Sequence, residues 1–272
     1  MNNQTFASAL ASATAALKNA DVATARLDAL VLLEHVTAQD RSLLLAHPED
    51  VLPAKQAKLY KKCIQERSTH TPVSYLTGKS EFYGKTFAIT EHTLVPRPES
   101  EALIELLLGL HSPADAVIVD VGTGSGALAI TAAGLYPGST VVGIDIDTKA
   151  LAVAQKNAQA HGVRVLLAES DLLQQLAAPR IDIVLANLPY VPTNYPINQA
   201  AAHEPALALY GGEDGLDLYR RLFAELTRWK PRYVLCESLT SQHKDLAAIA
   251  HRHGYILTHT QGLAQVFSLD AS

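Results

Sequence analysis

The chain has 272 residues, of which 48% are hydrophobic and 18% charged. That is enough aliphatic material to bury a substantial core and too much for a disordered chain, and at roughly 100–200 residues per domain the length leaves room for two domains. A net charge of -5 supplies no broad basic field to neutralise phosphates, so tight sequence-independent binding to bare nucleic acid is disfavoured.

The opening stretch MNNQTFASALASATAALKNADVATARL has neither a basic leader region nor an unbroken apolar run, and nowhere do about 18 apolar residues follow one another. A cytoplasmic protein with no membrane segment is expected. Phe6, Leu10, Ala13 and Leu17 fall at helical spacing, and Leu27, Leu30 and Val31 repeat the stripe. Pro53 can occupy the first turn of a further helix running towards Arg67. Residues 1–70 therefore read as a small helical bundle. Ser68-Thr69-His70-Thr71-Pro72 offers the backbone alternatives to helix and opens a linker over residues 71–95. Within it, Phe82 and Phe87 flank Gly84-Lys85 among strand formers, as in a hairpin. A helix is expected to begin near Pro98 and carry Leu103, Leu106, Leu107 and Leu110.

From Ala116 the texture changes. Short apolar strings, VIVDV, TVVGID, VRVLLA, DIVLAN, RYVLCE, YILTH and QVFSL, alternate with segments of helical potential. That alternation argues for a parallel sheet between layers of helices over residues 96–272. Cys63 and Cys236 stand far apart and suggest neither a disulfide framework nor a thiolate metal site. The histidines are scattered, and His251 and His253 sit at a spacing that puts them on different helix faces. No metal is expected.

VIVDVGTGSGALAI is a buried strand, a loop and an Ala/Leu helix. Gly122, Gly124 and Gly126, with Thr123 and Ser125 between them, remove the Cβ atoms that would keep a ligand from the backbone. A nucleotide pocket follows, although Gly122-x-Gly124-x-x-Ala127 also satisfies a relaxed dinucleotide fingerprint, and a tight packing turn needs glycine too. The next strand ends on Asp145, where an acid can accept hydrogen bonds from a ribose diol. Asp147 competes and is read as a solvated or capping residue. Asp171 can accept from an adenine amino group or cap a following helix. Together these point to an adenosine-containing ligand. A nicotinamide is disfavoured, because no His and Asp constellation for hydride chemistry lies near the strand ends.

The fourth strand string runs into Asn187-Leu188-Pro189-Tyr190. The Asn187 side chain and the Leu188 carbonyl can both accept from an NH₂ group, and Tyr190 offers a face to a planar amide or base. An amide nitrogen is a poor nucleophile, so such a site works by aiming it. The structural alternative is a loop whose asparagine caps a turn and whose tyrosine packs on the core.

Asp120-x-Gly122-x-Gly124-x-Gly126 with Asp145 and Asn187–Tyr190 resembles the S-adenosylmethionine-dependent amino-methyltransferases. Residues 71–105 and 203–222 are similar to segments of the release-factor glutamine N5-methyltransferases, the HemK type, and the leading helical region fits that family. Asn-Leu-Pro-Tyr itself looks more like the ribosomal RNA adenine dimethyltransferases, since the glutamine enzymes usually carry Asn-Pro-Pro-Tyr. Leu188 thus departs from the pattern, adding a backbone N–H and losing a fixed φ. The stretches ESLTSQ and TQGLAQVFSL depart as well.

The resemblance implies a Rossmann-like α/β fold with a mainly parallel seven-stranded sheet and helices on both faces. It implies a substrate-binding helical domain, residues 1–70, ahead of a catalytic domain, residues 96–272. The implied activity is methyl transfer from S-adenosylmethionine to the glutamine of the Gly-Gly-Gln motif in peptide chain release factors. A ribosomal-protein glutamine and an adenine N6 of RNA or DNA are the alternative acceptors, and the acidic net charge favours a protein. By the same resemblance Asp145 holds the ribose, Gly122 to Gly126 the methionine portion, and Asn187 to Tyr190 the glutamine. Leu172 matches a position beside the adenine that is often aromatic in the family. Arg97 and Glu99 match a segment lining the active site, or form a surface ion pair.

Overall fold

The computed structural model describes residues 4–270, and they form two compact units. The first runs to Gly78 and includes the outlying segment Ile197–His203. Its helices are α1 (Phe6–Asn19), α2 (Ala25–Thr37), α3 (Arg41–Ala46), α4 (Ala54–Ser68) and α5 (Val73–Thr77). Thr5 starts α1 through a reciprocal pair: Ser8 N–H donates to its Oγ1 at 3.2 Å, and the Ser8 Oγ accepts its N–H at 2.9 Å. The α1 stripe buries Phe6, Ala13 and Leu17 as expected, with Ala9 where Leu10 was read.

On α2 the expected stripe holds at Leu30, which is buried, and not at Leu27. Leu27 is 51% exposed, and Ala25, Ala29, Leu32, Leu33 and Val36 face the core instead. The small alanines mark where helices approach closely, a feature hidden when only large side chains are traced. Tyr60 donates its hydroxyl to the Ala29 carbonyl at 2.8 Å, and Arg67 pairs with Asp28 at 2.7 Å. Asp28 also accepts from Thr24 at 2.9 Å, so this nearly buried carboxylate is well supplied with donors.

The second unit begins with the hairpin β1 (Lys79–Phe82) and β2 (Lys85–Ala88). Its two turn residues, Tyr83 and Gly84, both have positive φ, 50° and 68°, which matches the twist a two-residue hairpin requires. A 3-10 turn at Pro98–Ser100 leads into α6 (Glu101–Leu108). Leu103, Ile104 and Leu107 are its buried face, and Gly109 ends the helix short of Leu110.

The sheet strands are β3 (Val117–Val121), β4 (Thr140–Asp145), β5 (Leu166–Glu169), β6 (Ile183–Ala186), β7 (Tyr233–Glu237), β8 (Tyr255–Gln261) and β9 (Ala264–Leu269). They form one seven-stranded sheet in the order β5-β4-β3-β6-β7-β9-β8. β3 to β7 pair in parallel, and β9 runs antiparallel to both β7 and β8. The intervening helices are α7 (Ala127–Leu135), α8 (Thr148–Ala160), α9 (Ala206–Leu209), α10 (Asp217–Leu226) and α11 (His243–Arg252).

Alternation along the strands sends Val119, Val121, Val184, Ala186, Val234 and Cys236 to one face, where they join Leu222, Phe223, Leu246 and Ile249 of α10 and α11. Ile118, Ile183, Leu185 and Leu235 are equally buried and point to the opposite face. Chain order moves outward from β3 to β5, then returns to β6 on β3's other side. That reversal makes the carboxyl ends of β3 and β6 a topological switch point, where open α/β sheets leave a crevice. Among the described residues, no helix is long and apolar enough to cross a membrane.

Candidate active site

The loop after β3 is fixed from beneath. Gly122 and Thr123 both donate their N–H to the Ile144 carbonyl, at 2.8 and 2.9 Å. Gly122, Gly124 and Gly126 take φ of 73°, 55° and 83°, a region that L side chains rarely adopt. At Gly126 an added Cβ would lie 2.8 Å from Ile130 Cδ1 and 3.3 Å from the Ala154 Cα, so α7 and α8 close on it. At Gly124 the nearest atom would be the Gly122 oxygen at 4.0 Å. The loop is therefore packed on one side and open on the other, a cradle with room for a ligand's polar edge. Asn157 of α8 braces it, donating to the Ser125 carbonyl at 2.8 Å and bonding both backbone groups of Ala88.

Two acids sit under this loop. Asp120 is buried, its Oδ2 accepting from the Thr123 hydroxyl at 2.6 Å and the Ala129 N–H at 3.1 Å, while Oδ1 has no partner among the described residues. Burial pushes its pKa up to about 7 against those two donors, with the nearby Asp145 charge acting in the same direction. Asp145 lies at the end of β4 and accepts the Gly124 N–H at 2.8 Å and the Asp147 N–H at 2.9 Å. Burial raises its pKa too, opposed by these backbone donors. Asp147 caps α8, accepting the Lys149 N–H at 2.8 Å, which is the capping role read for it.

For Asp171, and for Arg97 with Glu99, one of the two alternative roles does not hold. Residues 171–175 form turns and no helix, so Asp171 caps none. Its N–H donates to Gln175 and its exposed carboxylate pairs with Arg221 at 2.7 Å. The sequence after it holds Leu172 at φ 51°, buried in the sheet core, which is incompatible with starting a helix there. Arg97 forms no surface pair with Glu99. It pairs with Glu204, whose side chain is 1% exposed and which also accepts the Val95 N–H at 3.2 Å. A partner 107 residues away outcompetes the neighbour because burial strengthens the interaction.

The loop after β6 carries Asn187 to Tyr190. Asn187 donates its Nδ2 to the Ser100 Oγ at 2.8 Å, so its carbonyl oxygen is turned to the other side as an acceptor. Tyr190 donates its hydroxyl to Glu237 Oε1 at 2.9 Å. Burial, together with the Glu237 charge, raises the Tyr190 pKa and keeps it a donor. Glu237 closes β7 at 1% exposure, its pKa raised by burial and pulled back by the Ser100 and Tyr190 hydroxyls. Arg97 and Glu99 act on both Tyr190 and Glu237 through their charges.

Leu188 is buried, and its side chain reaches the glycine loop: a Cβ on Gly122 would lie 3.2 Å from Leu188 Cδ2. Gln242 anchors the far end, donating to the Tyr190 carbonyl at 2.8 Å and to the Asp214 carbonyl at 2.7 Å. Ser100, Glu204, Tyr219, Glu237 and Gln242 thus belong to the site's surroundings; they lie in the stretches 71–105, 203–222 and ESLTSQ compared with the family above, where none of them stood out as a site residue. Among the described residues, no group of three or more His, Cys, Asp or Glu is placed to hold a metal ion.

Residues 99–204 match the Methyltransferase small domain family and residues 8–78 the PrmC N-terminal domain family. A solved methyltransferase from Pyrococcus furiosus aligns with a TM-score of 0.54 at 17% identity, over 70% of this chain and 91% of that one. The protein is accordingly a methyltransferase built on a Rossmann-like sheet. A release factor glutamine methyltransferase from Deinococcus radiodurans is 38% identical over 220 residues, 79% of this chain and 78% of the relative. Another, from Moorella thermoacetica, is 39% identical over 225 residues, 80% and 79% of the two chains. The chain belongs to the release factor glutamine methyltransferase family.

Proposed function

We propose that this protein transfers a methyl group from S-adenosylmethionine to the side-chain amide nitrogen of the glutamine in the Gly-Gly-Gln motif of peptide chain release factors, in the cytoplasm. The observation that carries the reading is Asn187. With Nδ2 committed to Ser100, its oxygen is presented as an acceptor at the end of β6, beside the Leu188 carbonyl. Two acceptors on one short loop match the two N–H bonds of a carboxamide.

The open face of the glycine loop and the Asp145 carboxylate fit S-adenosylmethionine. Asp145 is bonded to two backbone N–H groups and keeps lone pairs for a ribose hydroxyl. Gly122, Thr123, Gly124, Ser125 and Gly126 line the side where the methionine portion would lie, and Asp171 and Leu172 follow the third strand. When bound, the cofactor supplies an electrophilic methyl group on a sulfonium. The protein's part is positional: Asn187 and the Leu188 carbonyl hold the amide's hydrogens, Pro189 restricts the loop, and Tyr190, held by Glu237, presents a ring to the planar amide. Fixing an amide within about 3–3.5 Å of its electrophile replaces much of the nucleophilicity that the nitrogen lacks. A methylated amide nitrogen is acidic enough to lose its proton to water, so no strong base is required. Arg97 and Glu99 lie within electrostatic reach of that ring.

Incubating the protein with labelled methyl donor, a release factor and total RNA tests the proposal. Label on the release factor that disappears when its motif glutamine is replaced is the expected outcome. Label entering RNA alone refutes it.

A further inference from the structure

The loop that carries Asn187 contains a buried N–H that a proline in its place would lack, and one side chain takes it. Tyr219, on α10 and fully buried, receives the Leu188 N–H on its hydroxyl oxygen at 3.3 Å. The same hydroxyl faces the carbonyls of Ala186, at 3.2 Å, and Glu237. Carbonyl oxygens only accept, so the hydroxyl hydrogen goes to them and a lone pair is left for Leu188. One phenol therefore joins the carboxyl ends of β6 and β7 to the first peptide of the loop between them.

We propose that Tyr219 is the positioning residue of this loop, setting the direction of the Leu188 carbonyl and the base of the Asn187 side chain. The inference rests on the proposed function of those two acceptors. Its logic is a count of freedoms. Pro189 confines Leu188 to extended backbone, which restricts ψ. The Leu188 side chain, 3% exposed and wedged over Gly122, restricts φ. The remaining requirement is the peptide plane between Asn187 and Leu188, and Tyr219 pins its N–H. Leu188 and Tyr219 together supply the rigidity that a proline would give by its ring. Burial raises the Tyr219 pKa well above the ordinary tyrosine value, so the hydroxyl stays protonated across the working range. Removing it would leave the N–H buried without a partner, and the loop would shift to find one.

The test is Tyr219→Phe, alone and with Leu188→Pro. The single variant is expected to lower kcat on a release factor about ten- to a hundredfold, the population cost of an orphaned buried N–H, with the Kd for S-adenosylmethionine unchanged. Adding Leu188→Pro removes that N–H and should raise kcat again at least about fivefold over Tyr219→Phe alone. A tyrosine that merely filled space would give losses that add, so a double variant as slow as the single one, or slower, overturns the proposal. Hydrogen exchange at the Leu188 amide of the unaltered protein provides a second measurement. Protection of about a hundredfold or more is expected, and exchange at the rate of an open loop overturns the proposal even if Tyr219→Phe does not fold. Because exchange needs no acceptor protein, it also separates failure of this clamp from failure of the proposed substrate.

Discussion

Ser100→Ala removes two interactions beneath the site, the hydrogen bond its Oγ accepts from Asn187 and the one its hydroxyl gives to Glu237. The Ser100 Oγ accepts Nδ2 of Asn187 at 2.8 Å, and Ser100 is 3% exposed, so water cannot replace it from that side. A neutral hydrogen bond of this kind contributes about 0.5–1.5 kcal/mol net, which is about a two- to twelvefold change in a population or a rate. Asn187 itself is only partly buried, so once released its amide can turn to solvent, and the cost should fall near fivefold. Asn187→Ala removes the acceptor outright and should cost about 10²–10³ in rate through misplacement. Single-turnover methyl transfer at saturating S-adenosylmethionine and release factor reads the step directly. If Ser100 acts by orienting Asn187, then Ser100→Ala made in the Asn187→Ala background costs only what its loss takes from Glu237, and the double-mutant cycle shows a coupling of about 1 kcal/mol. Equal losses in both backgrounds would refute the orienting role and leave Ser100 as a support for Glu237 alone.

Asp145→Ala should weaken S-adenosylmethionine binding about ten- to a hundredfold, the loss of a charged acceptor, while kcat at saturation changes much less; an unchanged Kd by calorimetry removes the ribose assignment. Gly126→Ala should destabilise the protein by about 1–3 kcal/mol, because it combines a positive φ with a Cβ pressed against α8; an unchanged midpoint in urea would contradict that packing. Asp120 gives a pH signature. Its folded pKa of about 7 lies above the unfolded value of about 3.9, so the native state binds the extra proton between those limits. Its contribution to stability is therefore full below about pH 4 and is lost as pH rises towards 7. Asp120→Asn should lack that loss, and parallel melting temperatures for variant and unaltered protein from pH 4 to 7 would show the assignment to be wrong.

The sheet was legible because β3, β4, β6, β7 and β9 are largely buried and appear as continuous apolar strings, while the edge strands β5 and β8, far more exposed, still read as short apolar strings. All seven of those strings lie in it, and β3 to β7 pair in parallel, as alternation with helices requires. The hairpin was legible through its turn chemistry. Periodicity served less well where small residues make the interface. On α2 the alanines at 25 and 29 are buried while Leu27 is exposed. Short elements such as α5 and the turns after Asp171 carry too few residues for a period to be visible.

The candidate site divides along a different line. Backbone-dominated parts announce themselves, since glycines at positive φ and a strand ending in an amide are unusual wherever they occur. The supporting side chains do not, because Ser100, Glu204, Tyr219 and Gln242 come from separate stretches and acquire their meaning only from partners far along the chain. Glu237 is the instructive case. It closes the apolar run RYVLCE just as Asp145 closes TVVGID, and the argument that made one strand-terminal acid a candidate applied equally to the other. What differs is what faces each acid. Asp145 meets backbone N–H groups of the glycine loop and turns a carboxylate edge outward. Glu237 meets the Tyr190 and Ser100 hydroxyls and stays inside, with Oε2 unpartnered among the described residues. Removing either hydroxyl would therefore deprive an already costly buried charge of support. Glu237 is thus better understood as holding the loop's orientation than as exchanging protons with a substrate, and its replacement should disturb Tyr190 and Asn187 together.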